Sequence, residues 1–354
     1  MNILLTGGLG YIGSHTAVVL AQAGHRVVLL DNLSNSRLEV ADRLAHILGQ
    51  RPPTEVADVL DTVRLQLILQ HHRIEAVVHF AGLKAVGESV AQPLAYFHNN
   101  VAGTVSLLRA MAHAGVRHLV FSSSATVYGQ PQRLPLDESH PTGATNPYGR
   151  TKLHIEQMLQ DVAASDPSWR IAVLRYFNPV GAHDSGWIGE DPNGVPNNLM
   201  PYIARVAVGR LPVLNVWGND YPTADGTGVR DYIHVMDLAE GHRAALDHLA
   251  RMAQPLDIFN LGTGSGTSVL QMVAAFEAAS GQRVPYRIAP RRAGDVAACW
   301  ADPSKAQRVL GWRASRTLDD MCASVWRFMQ RQTQGQSGPQ SVALPSAATA
   351  AVDA

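Results

Sequence analysis

An α/β fold built on a doubly wound parallel sheet is predicted for this chain by three observations. Apolar strand-like runs alternate with helical patterns through the first half, a glycine string separates the first run from its helix, and a carboxylate closes the second run. The runs are Ile3 to Leu5, Val27 to Leu30, Val77 to Phe80, Leu119 to Ser122 and Ile171 to Tyr176, with a further candidate strand before Ala57. At 354 residues the chain is too long for one small core. Two domains are therefore expected: residues 1–178, and a smaller C-terminal α/β unit over 179–331 from which some segments return to the first. Residues 332–354, rich in Gln, Ser, Pro and Ala without apolar periodicity, read as a disordered tail.

The N-terminus, Met1-Asn-Ile-Leu-Leu-Thr6, lacks basic flanks and a long apolar core and runs straight into a glycine turn, so it reads as a strand rather than a signal peptide. The glycines of Thr6-Gly-Gly-Leu-Gly-Tyr-Ile-Gly13 fit GxGxxG at 8, 10 and 13 and GxxGxxG at 7, 10 and 13. In either register, backbone N–H groups at a helix N-terminus can approach a pyrophosphate, with Gly7, Gly10, Tyr11, Ile12 and Gly13 as the expected contacts. Glycines also serve turns that hold no ligand. Asp31 supplies context: it ends the second strand 18 residues after Gly13, the spacing of an acid that binds an adenosine ribose diol. Together with Asn32 and Asn35 of the same loop it points to a Rossmann-type, dinucleotide-binding domain.

A carboxylate at position 31 repels a 2′-phosphate, so NAD is favoured over NADP, with Arg37 close enough in sequence to soften the choice. Asp31 can equally be a turn or capping residue. The same two readings hold for Asp58, which with Val59 follows the third strand and can face an adenine amino group. In Phe80-Ala-Gly-Leu-Lys84, Gly82 permits close approach of a cofactor, and Lys84 is one of only three lysines in a chain whose cations are otherwise arginines. Asn99 and Asn100 interrupt the helical pattern from Pro93 to Met111. Asn is a poor interior helix former, so one of them either binds a carbonyl or water beneath a site or faces solvent.

Ser124 leaves the fifth strand in Ser122-Ser-Ser-Ala-Thr-Val-Tyr-Gly129, on the sheet edge where such folds bind ligands. Tyr148 and Lys152 follow 24 and 28 residues later, opening an amphipathic run from Pro147 to Val162. If that run is helical, the two share a face. A tyrosine working as a base near neutral pH needs its pKa lowered by about three units, and a neighbouring cation supplies much of that. The other reading is a solvated helix pair worth a few tenths of a kcal/mol. Hydroxyl, phenol and ammonium beside a nicotinamide suit redox chemistry between an alcohol and a ketone.

Four segments carry a resemblance to a known family: Phe80-Ala-Gly-Leu-Lys-Ala-Val-Gly-Glu-Ser-Val90, Phe121-Ser-Ser-Ser-Ala-Thr-Val-Tyr-Gly129, Leu174-Arg-Tyr-Phe-Asn-Pro-Val-Gly-Ala182 and Gly226-Thr-Gly-Val-Arg-Asp-Tyr-Ile-His-Val-Met-Asp237. Over residues 1 to about 330 the chain resembles the extended short-chain dehydrogenase/reductases and, among them, the UDP-glucose 4-epimerases. The resemblance implies an NAD-dependent isomerase that retains its cofactor, with Tyr148 as base for the sugar O4 proton, Ser124 as hydrogen-bond partner to that oxygen and Lys152 on the nicotinamide ribose. It implies oxidation at C4, rotation of the 4-keto sugar and hydride return to the opposite face, interconverting UDP-galactose and UDP-glucose.

Phe80, Ala81, Gly82, Lys84, Asn99 and Phe177 would line the cofactor by this resemblance. The smaller domain would bind the UDP-sugar through Asn178, Asn198, Leu199, Asn215, Trp217, Arg230, Tyr232, Arg291, Asp295 and Cys299, with Lys84 also reaching it. Arg230 and Arg291 match positions expected to hold the diphosphate, and two guanidiniums suit two phosphates. Asn198 also reads as a helix N-cap, Trp217 as ordinary packing in a strand, Phe177 and Asn178 as a packed aromatic and a turn residue, and each arginine as an ion-pair partner. Cys299 departs from relatives that carry tyrosine there. The smaller side chain leaves room at the sugar C2 substituent, so UDP-GalNAc and UDP-GlcNAc are expected substrates.

Other classes fit less well. A nucleotide-sugar 4,6-dehydratase needs an Asp-Glu pair where this chain has Ala125 and Thr126, and a non-catalytic dinucleotide sensor need not keep Ser124, Tyr148 and Lys152 together. Lys+Arg and Asp+Glu number 29 each, which argues against a nucleic-acid partner. No apolar run approaches the roughly 20 residues that span a bilayer. Two cysteines without a CxxC pair argue against a disulfide framework or cysteine zinc site, and a cytoplasmic protein without metal is expected. A homodimer is expected to pair through residues 93–111 and 147–162.

Overall fold

A computed structural model describes residues 1–292 and 294–336. Seven strands form one all-parallel sheet: β1 (Asn2–Thr6), β2 (Arg26–Asp31), β3 (Thr54–Val56), β4 (Ala76–His79), β5 (His118–Ser124), β6 (Arg170–Tyr176) and, far downstream, Leu256–Leu261. The intervening strands are β7 (Asn178–Val180), β8 (Leu214–Trp217), β9 (Val229–Arg230) and β10 (Tyr232–His234), which makes Leu256–Leu261 β11. Three short strands follow: β12 (Thr267–Ser268), β13 (Tyr286–Ala289) and β14 (Ala298–Cys299).

The sheet order is β11-β6-β5-β4-β1-β2-β3. The chain leaves β1 toward β2 and later crosses to β4 on its other side, so a crevice opens beyond the carboxyl ends of β1 and β4. Alternate residues of each strand enter opposite cores, as a sheet covered on both faces requires. Ile3, Leu5, Val27, Leu29, Val120 and Leu174 join one cluster, and Leu4, Val28, Leu30, Phe121 and Val173 join the other.

Residues 179–336 divide their work. The helix Val235–Leu249 packs on the first helix, Tyr11–Gln22, and β11 pairs with β6, so this part of the chain completes the large sheet. The remainder builds three small sheets, β10-β7, β12-β9-β14 and β13-β8, around a third core containing Val180, Ile203, Val216, Phe276 and Phe328. Local chemistry starts and stops several helices. Asn146 caps Pro147–Ser165 by accepting from the Gly149 N–H at 2.9 Å, with Pro147 in the first turn. Ser268 and Gln271 close a capping box on Val269–Ser280.

Two expectations need correction here. The stretch 93–111 is not one regular helix: Pro93–Tyr96 is α-helical, Phe97–Ala102 forms a π-helical turn, and Gly103–Ala114 resumes the α-helix. Both asparagines lie in that wide turn. The expected tail begins five residues too early, because the last helix, Leu318–Gln336, continues to residue 336 on an apolar face containing Met321, Val325, Phe328 and Met329. Residues 337–354 lie outside the described residues.

The turn between β9 and β10 joins the layers through Asp231. Its fully buried carboxylate accepts from the N–H and hydroxyl of Thr263 at 2.9 and 2.6 Å, and from the N–H groups of Gly264 and Ala301 at 3.1 Å each. Burial raises its pKa, and those donors oppose the rise. Asp231→Ala leaves three backbone donors buried without an acceptor. It should cost about 3 kcal/mol, read as a lower urea midpoint at unchanged slope.

Candidate functional site

Beyond the end of β1, the Gly7 carbonyl is the hub of the glycine turn. Gly10 donates to it at 3.1 Å, and a Cβ on Gly13 would stand 2.3 Å from it. Gly7 has φ +67°, and a Cβ there would lie 2.8 Å from the Ala81 N beyond β4. The spacing 7, 10 and 13 therefore packs as one cradle, with Gly10 at the N-cap of the Tyr11–Gln22 helix. Bare backbone at a helix N-terminus fits a dinucleotide pyrophosphate. Ile12 and Tyr11 open that helix, and the Tyr11 hydroxyl donates to the Gly181 carbonyl at 2.7 Å, across to the second half of the chain.

Asp31 is buried and braces this cradle. It accepts from the Leu9 and Leu33 N–H groups at 3.1 and 3.0 Å and from the Ser36 hydroxyl at 2.7 Å. The turn-carboxylate reading is thus realised, in a place that still lies at the end of β2. Asn32 donates to Asp58 at 2.8 Å, so those two residues meet, whereas Asn35 is exposed. Val59 belongs to the core and packs against Gly103. Arg37 turns away from Asp31 to Asn193 at 3.3 Å and Asp191 at 3.9 Å.

The sequence singled out both asparagines of the π-helical turn, and the structure gives the larger part to Asn100. Its side chain accepts from the Leu83 N–H at 2.8 Å and donates to the Leu83 carbonyl and the Thr151 hydroxyl at 3.0 Å each. Thr151 in turn donates to the Tyr148 carbonyl at 2.7 Å. Asn99 donates only to Asn100, at 2.9 Å. Asn100 thereby ties the Phe80–Lys84 loop to the helix bearing Tyr148. Gly82 lies against it, where a Cβ would stand 3.3 Å from the Asn100 Oδ1 and 3.8 Å from the Lys152 Nζ. Phe80 lies against His242 with ring centroids 4.8 Å apart.

Tyr148 and Lys152 are both buried on the Pro147–Ser165 helix. The Lys152 ammonium donates to the Ser122 carbonyl at 2.8 Å and sits 4.9 Å from the Phe121 ring centroid. Ser124 accepts from the N–H and hydroxyl of Thr126 at 3.3 and 3.0 Å, which leaves its own proton to donate. The electrostatics differ from the sequence expectation. Burial raises the Tyr148 pKa and the Ser124 hydroxyl opposes the rise, while burial pushes Lys152 down to about 8 against the pull of Glu156. Removing phenolate and ammonium from water outweighs their helical proximity.

In the second half, Phe177 is buried with Val127, Tyr128, Leu136 and Ala301, and Cys299 packs against the same cluster. Asn178 is exposed at the start of β7. Cys299 stands opposite Arg230 in the β14/β9 register, and burial pushes its thiol up to about 11. Arg230 itself donates to the Val229 carbonyl at 2.8 Å. Trp217 is 39% exposed rather than packed, and the Arg292 guanidinium lies 5.8 Å from its ring. Arg291 binds Asp220 at 2.7 Å and covers Tyr221, Asn215 accepts from Arg287 at 2.6 Å, and Asp295 pairs with Arg292 at 3.0 Å.

Tyr232 and Asn198 complete this half, and for Asn198 the helix-cap expectation fails. Tyr232 is a core residue of the third cluster, because β10 turns its ring inward. Asn198 precedes the helix Leu199–Ala207 without capping it: the side chain donates instead to Glu190 at 2.6 Å. Glu190 also accepts Lys84 at 3.0 Å, so one half-hidden carboxylate joins the first sheet's loop to the smaller unit. No sequence motif marks Glu190; its partners come together only in the fold.

Comparison with known proteins now bears on this geometry. The family profile described as GDP-mannose 4,6 dehydratase matches residues 4–325. A UDP-glucose 4-epimerase of Bacillus subtilis (strain 168) is 59% identical over 335 residues, covering 95% of this chain and 98% of its own. The chain belongs to the UDP-glucose 4-epimerase family. Two solved members of the family superpose on it closely. The enzyme of Stenotrophomonas maltophila, crystallised with NAD and formylated UDP-arabinopyranose, has a TM-score of 0.92 and 54% identity, covering 95% of this chain and 99% of that one. The enzyme of Bifidobacterium longum, in complex with NAD+ and UDP, has a TM-score of 0.91 and 50% identity, covering 95% and 100%.

The state of Lys152 gives a test. Activity should fall as pH rises through about 8, where the buried ammonium loses its proton. In kcat against pH, Lys152→Arg should lose most of the rate and also this alkaline limb, because a guanidinium stays charged.

Proposed function

We propose that this protein interconverts UDP-galactose and UDP-glucose by inverting the sugar at C4, with NAD retained through the cycle. The observation that carries the reading is the convergence of Ser124, Tyr148 and Lys152 on the edge of a sheet whose glycine cradle fits a dinucleotide. When bound, NAD supplies a cationic ring that takes the C4 hydride and returns it. Tyr148 accepts the O4 proton and later gives it back. Ser124, its oxygen already accepting from Thr126, directs its own proton to O4 or to the phenol. Lys152 brings a positive charge that offsets part of the burial cost of the phenolate. The 4-ketone has no handedness at C4, so presenting its other face inverts the centre.

Gly7, Gly10, Gly13, Asp31 and the Asn32–Asp58 pair are proposed to hold the dinucleotide. The UDP moiety is assigned to the corner where Gly218 lies against Arg291 and Trp217 beside Arg292, with Arg230 as the second guanidinium of the diphosphate site. Trp217 offers an exposed ring to a base. Because Ala125 and Thr126 supply no carboxylate, the elimination chemistry of a dehydratase has no acid and base here.

A wider substrate range is proposed on Cys299, a small side chain on the strand beside Arg230 that packs against the Phe177 cluster. A homodimer is proposed from the exposed apolar side chains of Val90, on the short helix Val86–Ala91, and of Leu94, 82% exposed, at the start of the interrupted helix. Leu94→Glu should then sediment as a monomer, whereas an unchanged sedimentation coefficient would remove this face from the interface. Among the described residues no helix is long and apolar enough to cross a membrane. The cytoplasm is proposed on the two free thiols, and cell fractionation tests it.

The deciding experiment is mass-resolved turnover of UDP-galactose by the purified protein without added NAD, beside a parallel tube of UDP-GalNAc. UDP-glucose should appear in the first tube and UDP-GlcNAc in the second, and Cys299→Tyr should abolish only the second. Failure in both tubes with NAD supplied would overturn the reading.

A further inference from the structure

Behind Tyr148 and Lys152, an ion pair interrupts the apolar packing between the Pro147–Ser165 helix and the sheet. Glu156 and Arg175 have side chains only 1% and 5% exposed. The Arg175 Nη2 donates to the Glu156 Oε2 at 2.6 Å, and its Nε reaches both carboxylate oxygens at 3.1 Å. Ser123 donates to the Glu156 Oε1 at 2.5 Å. Ser123 and Arg175 stand opposite each other in the β5/β6 register, so a single carboxylate from the helix binds both strands at one level. Arg175 also covers the Tyr128 ring at 4.9 Å, and the Tyr128 hydroxyl donates to Asn260 on β11 at 2.7 Å.

Stability alone does not account for this cluster. A buried ion pair is commonly matched or bettered by apolar side chains of similar volume, and the Arg175 Nη1 is buried without a hydrogen-bond partner among the described residues. Its position is more informative. Glu156 lies one helical turn beyond Lys152 and two beyond Tyr148. Ser123 lies between Ser122, whose carbonyl receives Lys152, and Ser124. The carboxylate thus joins the element that carries phenol and ammonium to the strand end that carries the hydroxyl.

We propose that Glu156 and Arg175, acting through Ser123, are positioning residues for the reaction, holding Tyr148 and Lys152 at a fixed register against Ser124. This rests on the epimerase reading above. The charge of Glu156 adds a second effect, since it supports the protonated state of Lys152 against burial. Of the other titratable groups around the cluster, His79 on β4, kept neutral by burial, faces that ammonium, Tyr176 on β6 faces Tyr148, and Arg175 faces Glu156.

The test compares Ser123→Ala, Glu156→Gln, Arg175→Gln and the apolar pair Glu156→Leu with Arg175→Met, assayed as holoenzymes beside the unmodified protein. The apolar double variant should keep its Tm, its bound NAD and its KM, yet lose about 100-fold in kcat, the cost of a misplacement near 1 Å. Ser123→Ala, the mildest change, should lose about tenfold in kcat at unchanged KM, as expected for one hydrogen bond to a charged group. Glu156→Gln should move the pH profile of kcat to lower pH, because phenol and ammonium lose a negative neighbour, and Arg175→Gln should move it to higher pH. Wild-type kcat in the double variant, or in Ser123→Ala should the double fail to fold, would overturn the proposal. Inactivity of the unmodified protein would instead count against the epimerase reading.

Discussion

The hydrogen bond from the buried Lys152 ammonium to the Ser122 carbonyl sets the distance between the helix bearing Tyr148 and the strand end bearing Ser124. An ammonium out of water needs partners on every side, and the surrounding order follows from supplying them. The Phe121 ring lies against it, and Glu156 stands one turn along the helix with its charge balanced by Arg175. Asn100 and Thr151 fix the opposite flank by tying the Leu83 backbone to the same helix. The site is therefore cross-braced, with helix, strand end and loop each held by polar groups of another.

That bracing is paired with a junction to the smaller unit. Hydrogen bonds link the large sheet and its loops to the smaller unit from Tyr11 to Gly181, from Lys84 to Glu190 and from Thr263 to Asp231, beside the apolar packing of Phe177 and Tyr128 against Ala301. A sugar that must present both faces to one fixed hydride position would meet a braced proton-handling group on the large sheet and the smaller unit across from it.

The second half also shows why chain order is a poor guide to architecture. Residues 235–261 leave the smaller unit, lay a helix on Tyr11–Gln22 and add β11 to the edge of the large sheet. β6 would otherwise present an unpaired edge, and its covering strand comes from some eighty residues downstream.

Sequence by itself determined what depends on near neighbours along the chain. Strand alternation gave the parallel sheet, the glycines at 7, 10 and 13 gave the cradle, and the four-residue interval placed Tyr148 and Lys152 on one helical face, because these are matters of local geometry. It also marked Asn99 and Asn100 as misfits in a helix, but could not choose between them; only the π-helical turn buries Asn100. Tertiary structure decided everything that depends on burial or on partners distant in sequence. Glu190 has no motif, the Glu156–Arg175 pair forms between a helix and a strand, Tyr232 turns into a core, and the Tyr148 pKa rises where helical proximity alone predicted a fall. Proximity along a helix is fixed by the backbone, but the sign of an electrostatic effect depends on how much water the completed fold excludes.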